Sequence, residues 1–387
     1  MTDGISADCS NLGLLNSPFF MKNVISANLS FNFLTSLPDE GLLPAGLKFL
    51  DLSSNKISNF SHDGLPPFTT STTLLSLNLS NNYISLDSKT YFKGVFKNLF
   101  DLKILDIFNN SYEIISYYCP DEVFVDLISL ESLSIDGVKN VTFGRRFAHL
   151  HNLTSLKVAG LAARGTIQKD MFQHFPFIRF LDFSSRTEWR NIEHFAVLII
   201  EQGTIKNLPH LEVLDISYNR RLGLCGFRNV SYDLPFTSIK IFKAQYIACE
   251  RSGSSWLLTS DVSPLNKTQL LELYIDGNNL DKTETSAVYL LPRSLHVLSI
   301  TDNRWVIDDY AYFDNLLNLV NLTTVDVSFQ NMHQMSHSHN SYRCNNEYLL
   351  LNPMKCLCYR LQDKRFLNLN KKNRLLSNRK FLRSTIS

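Results

Sequence analysis

Apolar and polar positions follow one recurring phrase along this chain. In LLSLNLSNNYI, Leu74, Leu77, Leu79, Asn82 and Ile84 fill the template L-x-x-L-x-L-x-x-N-x-L. The alternating part turns apolar side chains to one face of a short strand and the x positions to the other. The asparagine comes where the chain must turn, and its short amide can bond backbone groups there. The phrase recurs from Val24, Leu47, Leu102, Leu130, Leu153, Ile178, Leu211, Ile239, Leu270, Leu295 and Leu322, at steps of 23 to 33 residues. Each copy predicts one strand, and stacked copies predict a parallel sheet with a return segment behind every strand.

That pattern is the signature of the leucine-rich repeat. The predicted fold class is α/β: a horseshoe-shaped solenoid of about twelve repeats, with a parallel concave β-sheet and a mostly irregular convex side. A second register agrees with it. Phe68, Phe96, Phe124, Phe147 and Phe172 each stand six residues before the next repeat's first apolar position, and Tyr289 keeps that spacing to Leu295. A fixed aromatic in the return segment predicts a stacked spine inside the convex half. Two stretches break the rhythm, SSRTEWRNIEHFAVLIIEQG and GLCGFRNVSYDLPFTS, and both are expected to leave the convex return. The predicted organisation is residues 1–23 as a partial N-terminal cap, 24–332 as the array, and 333–387 as a polar then basic tail.

Composition changes the picture in two places. An apolar fraction of 44% supports a sizeable core. The net charge of +2 conceals a tail, residues 355–387, with ten Lys/Arg and one acid, Asp363, leaving a mildly acidic body. No apolar run exceeds the six residues of FAVLII, Phe195 to Ile200, so no membrane-spanning helix is expected. The opening MTDGISADCSNLGL has neither a basic nor an apolar region of the secretory kind, so no signal peptide is expected.

Nine N-x-[ST] triplets mark glycosylation candidates at Asn28, Asn59, Asn78, Asn109, Asn140, Asn152, Asn229, Asn266 and Asn321. With seven cysteines they point to a secreted or cell-surface chain; the rival is a cytosolic leucine-rich regulator. Cys225 and Cys249 lie on consecutive repeats just past their strands and could form a disulfide. No catalytic motif is present, and no cofactor or metal site is expected. The cluster around His333, His337, His339 and Cys344 reads as a solvated spacer. Asn28 and Asn78 occupy strand x positions, so sugars there would close the concave face of the first three repeats and direct a partner elsewhere. The outward x positions, among them Asp51, Asp106, Lys157, Asp182 and Asp215, are mixed in sign with many acids, which argues against nucleic acid as a ligand.

Several segments go beyond the repeat itself. ADCSNLGL resembles the second half of the N-terminal cysteine cap of Toll-like receptors. NPMKCLCYRL, residues 352–361, resembles the opening of a C-terminal cysteine cap, here truncated. The irregular repeats, the phenylalanine register, the acceptor triplets and the segment Leu211 to Ala244 are similar to a Toll-like receptor ectodomain, most of all the invertebrate kind, over residues 7 to about 330. The resemblance implies a non-enzymatic innate-immune receptor ectodomain, extracellular or at the cell surface. Such an ectodomain binds a microbial or endogenous ligand and forms a homo- or heterodimer through the array. The membrane helix and TIR domain of that family are not expected in this chain, which reads as a fragment or soluble form. The alternative is a non-receptor leucine-rich repeat scaffold that binds another protein.

Overall fold

All twelve copies of the template become strands where the pattern places them, from Val24–Asn28 and Phe49–Asp51 to Val297–Ser299 and Thr324–Asp326. The computed structural model describes residues 5–39, 42–60, 68, 73–85, 90–110, 121–136, 143–159, 166–185, 197, 199–220, 222–248, 255–304, 316, 318–328 and 358–360. Ile5–Asp8 adds a strand ahead of the first repeat and pairs parallel with Val24–Asn28. These thirteen strands lie side by side in chain order, all parallel. Cys358–Arg360 closes the row antiparallel to Thr324–Asp326. The register keeps equivalent leucines opposite one another: Leu50 faces Leu77, which faces Leu105, then Leu133, Leu156, Leu181 and Leu214. Each is buried, and together with the flanking template positions they form one continuous core.

Strands this short leave many backbone groups unpaired where the chain leaves the sheet, and the template asparagine answers them. Asn82 Nδ2 donates to the carbonyls of Leu52 (2.9 Å) and Leu79 (3.1 Å), and its Oδ1 accepts from Ile57 N–H (3.0 Å). One amide therefore bonds its own repeat and the one before. Asn32, Asn55, Asn110, Asn219, Asn278 and Asn303 repeat the arrangement. The residue preceding each asparagine adopts a left-handed conformation, at Phe31 (φ 55°), Ser54 (56°), Asn81 (57°), Asn109 (59°), Tyr218 (65°) and Asp302 (51°). The strain is small for Asn and Asp and larger for the aromatics. At Asn32 the ladder reaches the segment ahead of the array: its amide takes the Cys9 carbonyl and the N–H groups of Leu12 and Leu14.

The aromatic spine forms over most of its predicted length. Phe96, Phe124, Phe147 and Phe172 are fully buried. Phe96 stacks on Phe124 at 5.9 Å and Phe124 on Phe147 at 5.4 Å. Between Phe147 and Phe172 the chain inserts Phe143 and Phe175, each in ring contact with both. Tyr289 departs from the expectation: it is 51% exposed. Thr285–Tyr289 is a short helix, and its turn puts Ala287 and Val288 inside while Tyr289 rotates outward.

The second predicted departure from the return is also corrected. Gly223–Asp233 is an α-helix within the convex layer. Phe227, Val230 and Leu234, spaced at three and four residues, are buried on its inner face. Phe227 stacks on Phe242 at 5.2 Å, so the helix supplies a ring where the phenylalanine register stops. From its outer turn Arg228 reaches the buried Asp261 of the next return at 2.6 Å. Of the other departure, residues 186–196 and 198 lie outside the described residues; beyond them Ile199–Ile200 pairs with Thr166–Ile167 in a two-stranded ribbon beside the Gly223–Asp233 helix, from which Asn229 donates to the Ile200 carbonyl.

Two substitutions measure these supports by chemical or thermal unfolding. Asn82→Ala leaves two buried carbonyls and an N–H unanswered and is expected to cost about 3 kcal/mol. Phe124→Ala opens a cavity in the middle of the spine and is expected to cost about 4 kcal/mol. A loss below about 1 kcal/mol in either case would remove that element from the account of stability.

Candidate binding face

The outward positions of the strands form columns across the concave sheet. Along the edge where strands begin, Lys103 pairs with Glu131 at 2.8 Å, and Glu212 accepts from both Lys240 (2.9 Å) and Arg179 (2.6 Å). Hydrogen bonds from Lys240 and then Arg179 hold the Glu212 carboxyl below its ordinary range. These exposed pairs contribute little to stability. The middle column opens with serines alternating with apolar side chains and turns mostly apolar from Phe180 to Ile241; Phe49, Ile104 and Phe180 stand clear of the sheet.

The column at the strands' C-terminal ends carries carboxylates and amides in two runs: Asp8, Asn28, Asp51, Asn78 and Asp106, then Asp182 and Asp215 after Ser134 and Lys157; Lys243, Tyr274 and Ser299 follow before Asp326 ends the column. Each Oδ1 accepts the N–H two residues on, for example Asp51 from Ser53 at 2.8 Å and Asp215 from Ser217 at 2.9 Å. This ends the strand and turns the chain towards the ladder asparagine. Neighbouring strands are about 4.8 Å apart, so adjacent carboxylates in this rim would repel. Over the first five strands amides separate the acids, and Asn78 Nδ2 donates to Asp51 Oδ2 at 3.2 Å. Burial pushes the Asp106 carboxyl above its ordinary range; Asp51 adds to the shift, and the bond from Phe108 N–H and the charge of Lys157 oppose it.

Beyond the rim, side chains from the left-handed positions stand on the flank. Tyr218 and Tyr246 stack at 5.2 Å with planes 14° apart. The next position in that row is Gly277 (φ 63°), and a Cβ there would fall 2.2 Å from the Tyr246 ring. Glycine therefore serves twice, for its backbone conformation and for the space the ring occupies. Burial, then the neighbouring Asp302 with which it hydrogen-bonds, drives the Tyr246 phenol well above its ordinary range. Tyr274 donates to Glu272 at 2.8 Å; burial first and that bond second push its phenol up to about 12. Gln245 donates to Asp276, which also accepts from Ser299 Oγ (2.6 Å) and Thr301 N–H (2.7 Å). The result is a patch of tyrosines, Tyr246 and Tyr274 fixed by hydrogen bonds to carboxylates and Tyr218 by stacking. Rigid, amphipathic rings of this kind dominate protein recognition surfaces.

Reading strand x positions alone misses this patch, because all of it except Tyr274 lies past the strands. The signal available was tyrosine at one offset, three residues after Asp215 and three after Lys243.

The glycosylation candidates fall on different faces. Asn28 and Asn78 are rungs of the rim. Asn109 occupies a left-handed position and donates to Asn81 at 2.6 Å. Asn152 and Asn321 stand exposed just ahead of strands, each donating to a backbone carbonyl of the preceding repeat, Ile128 and Arg293. Asn59 and Asn266 are exposed in return segments, and Asn229 lies on the convex helix. Asn140 lies outside the described residues. Cys225 is exposed on the same helix, and its expected partner Cys249 lies outside the described residues, as do the histidine cluster and all of residues 352–361 but 358–360. Among the described residues, no three His, Cys, Asp or Glu side chains are grouped to hold a metal, and no helix is long and apolar enough to cross a membrane.

Comparison with known proteins agrees with this architecture. The family model described as Leucine Rich Repeat matches residues 46–68. Toll-like receptor 4 of Pinctada imbricata is 33% identical over 331 residues, 84% of this chain and 34% of the receptor. The chain is a leucine-rich repeat array related to the Toll-like receptors. Toll-like receptor 8 of Homo sapiens is 26% identical over 230 residues, 52% of this chain and 19% of that protein. Tsukushi of Gallus gallus is 25% identical over 283 residues, 67% of this chain and 69% of that protein. Among solved structures, a crystal structure of a TLR13-ssRNA13 complex superposes with a TM-score of 0.48 at 18% identity, over 84% of this chain and 49% of that one. The array thus spans about a third of the length of the Pinctada receptor.

The rim offers a direct electrostatic test. Because the folded Asp106 pKa is raised, this group favours folding at low pH, and that contribution is lost as pH rises through its folded value. Asp106→Asn keeps the turn, as Asn28 and Asn78 do, and removes the charge. Its unfolding midpoint is expected to exceed that of the parent chain at pH 7, with the difference fading by about pH 4. A midpoint gap that widens on acidification would contradict the assignment.

Proposed function

We propose that this array is the ligand-recognition part of a Toll-like innate-immune receptor, displayed or released outside the cell. The observation that carries the reading is 33% identity to such a receptor across 84% of the chain; the acceptor triplets and cysteines fit the same compartment. In this reading sugars on Asn28 and Asn78 shield the concave face of the first repeats, and Asn229 and Asn266 place theirs on the convex side. The concave and flanking surface between Val213–Asp215 and Val297–Ser299 has no acceptor asparagine among the described residues, and it carries the tyrosine patch. We place ligand contact there, with dimerisation through the array. The carboxylates beside the patch, Glu272, Asp276 and Asp302, disfavour a polyphosphate there, so the ligand is better matched to a protein, peptide or uncharged glycan. Cys225 and Cys249 form a disulfide in the same reading.

The scaffold alternative has its own support in Tsukushi, of which this array covers 69%. A chimera separates the two: the array fused to a membrane helix and a TIR-domain reporter, displayed on cells and exposed to fractionated microbial extracts. The receptor reading expects a fraction-dependent signal that Tyr246→Ala weakens at least about tenfold, with Phe49→Ala as a control of little effect. It also expects enzymatic deglycosylation to shift the mass of the secreted chain. Silence to every fraction from a well-displayed chimera would favour the scaffold.

A further inference from the structure

The rim that separates its charges over the first five strands fails to do so farther along. Asp182 and Asp215 lie directly opposite each other on paired strands with no amide between them. Lysines flank both in register, Lys157 beside Asp182 and Lys243 beside Asp215. Yet Lys157 leans over the Phe108 ring at 4.6 Å and Lys243 over the Tyr274 ring at 5.9 Å. Among the described residues no ion pair reaches either carboxylate. Each uses Oδ1 to accept the N–H that ends its strand, from Ser184 at 2.7 Å and Ser217 at 2.9 Å, and turns the other oxygen to no described partner. Like charges facing each other across a strand pair are destabilising. A cation bridging the two Oδ2 atoms would reverse that.

The chain contains one strongly basic stretch. Residues 361–387 hold eight Lys/Arg, including the pairs Lys364–Arg365 and Lys371–Lys372, against the single acid Asp363. They follow Arg360, whose partner in the sheet is Thr324. From the strand of Arg360 to the strand of Asp215 is five strand spacings, about 24 Å, and to that of Asp182 six, about 29 Å. Lys371 stands eleven residues past Arg360, a reach of up to about 36 Å. Length and charge therefore both match.

We propose that residues 361–387 cross the sheet face of their own chain to the carboxylate pair of the rim, with the side chain of Lys371 or Lys372 between Asp182 and Asp215. This stands apart from the receptor reading, since it invokes only the chain itself. A short ammonium–carboxylate approach makes the pair a substrate for zero-length carbodiimide coupling, which joins amine and carboxylate as an amide with loss of water. The experiment treats an equal mixture of unlabelled and ¹⁵N-labelled full-length chains and maps the linked peptides by mass spectrometry. The Lys103–Glu131 link is the control, because those groups stand 2.8 Å apart in the array. The expected result is links from Lys371 or Lys372 to Asp182 or Asp215, within single isotopic species. They should disappear in 1 M salt, on the order of a threefold shorter screening length than at 0.1 M, and in Asp182→Asn/Asp215→Asn, which keeps both turns. Control links without tail-to-rim links would overturn the proposal. So would tail-to-rim links only between differently labelled chains, which would give the rim to a second copy.

Discussion

The structure depends on how a solenoid satisfies its backbone at the bend. Most of its strands are three residues long, so most of each repeat's polar groups lie outside the sheet, and many are buried. A single asparagine amide, with two donors and an acceptor in fixed geometry, answers three of them across two repeats. Leucine in its place would fill the volume and leave those groups bare. Where the asparagine is missing, other groups step in. Asp136 accepts the N–H groups of Asn109 and Asn110 from the repeat before, and Ile247, at a ladder position, has its N–H taken by the next rung, Asn278.

The ladder also explains the functional surface. It forces the preceding residue into a left-handed turn, and that turn throws its side chain onto the flank beside the rim. Where those residues are Tyr218 and Tyr246, with Gly277 following, the outcome is a stacked aromatic patch. The rim beside it is built from a second local bond, the carboxylate or amide that closes each strand. In LLSLNLSNNYI both bonds occur within five residues: Asn78 ends the strand and separates Asp51 from Asp106, and Asn82 ties the repeat to its predecessor. The acceptor triplet at Asn78 therefore overlaps a residue with a structural task of its own.

The convex layer shows the opposite tolerance. Its requirement is to fill space behind the strands, and a phenylalanine stack, an inserted ring pair and an eleven-residue helix all meet it. That explains why the Phe96 to Phe172 spine was legible as a fixed offset while the same offset failed at Tyr289. Once a return segment becomes helical, counting back from the next strand no longer reports which way a side chain faces.

Strand positions, the parallel order, the buried leucines and the ladder were all written in the local pattern, because each rests on a period of two and a fixed distance to one asparagine. The amino-acid sequence by itself therefore determined the architecture. Tertiary structure alone decided the surface. The contact between Tyr218 and Tyr246, the abutting carboxylates of Asp182 and Asp215, and the reach of Arg228 to Asp261 join residues 28 to 33 positions apart. Steps between repeats vary in length, so only the stacking of strands in register brings such residues side by side.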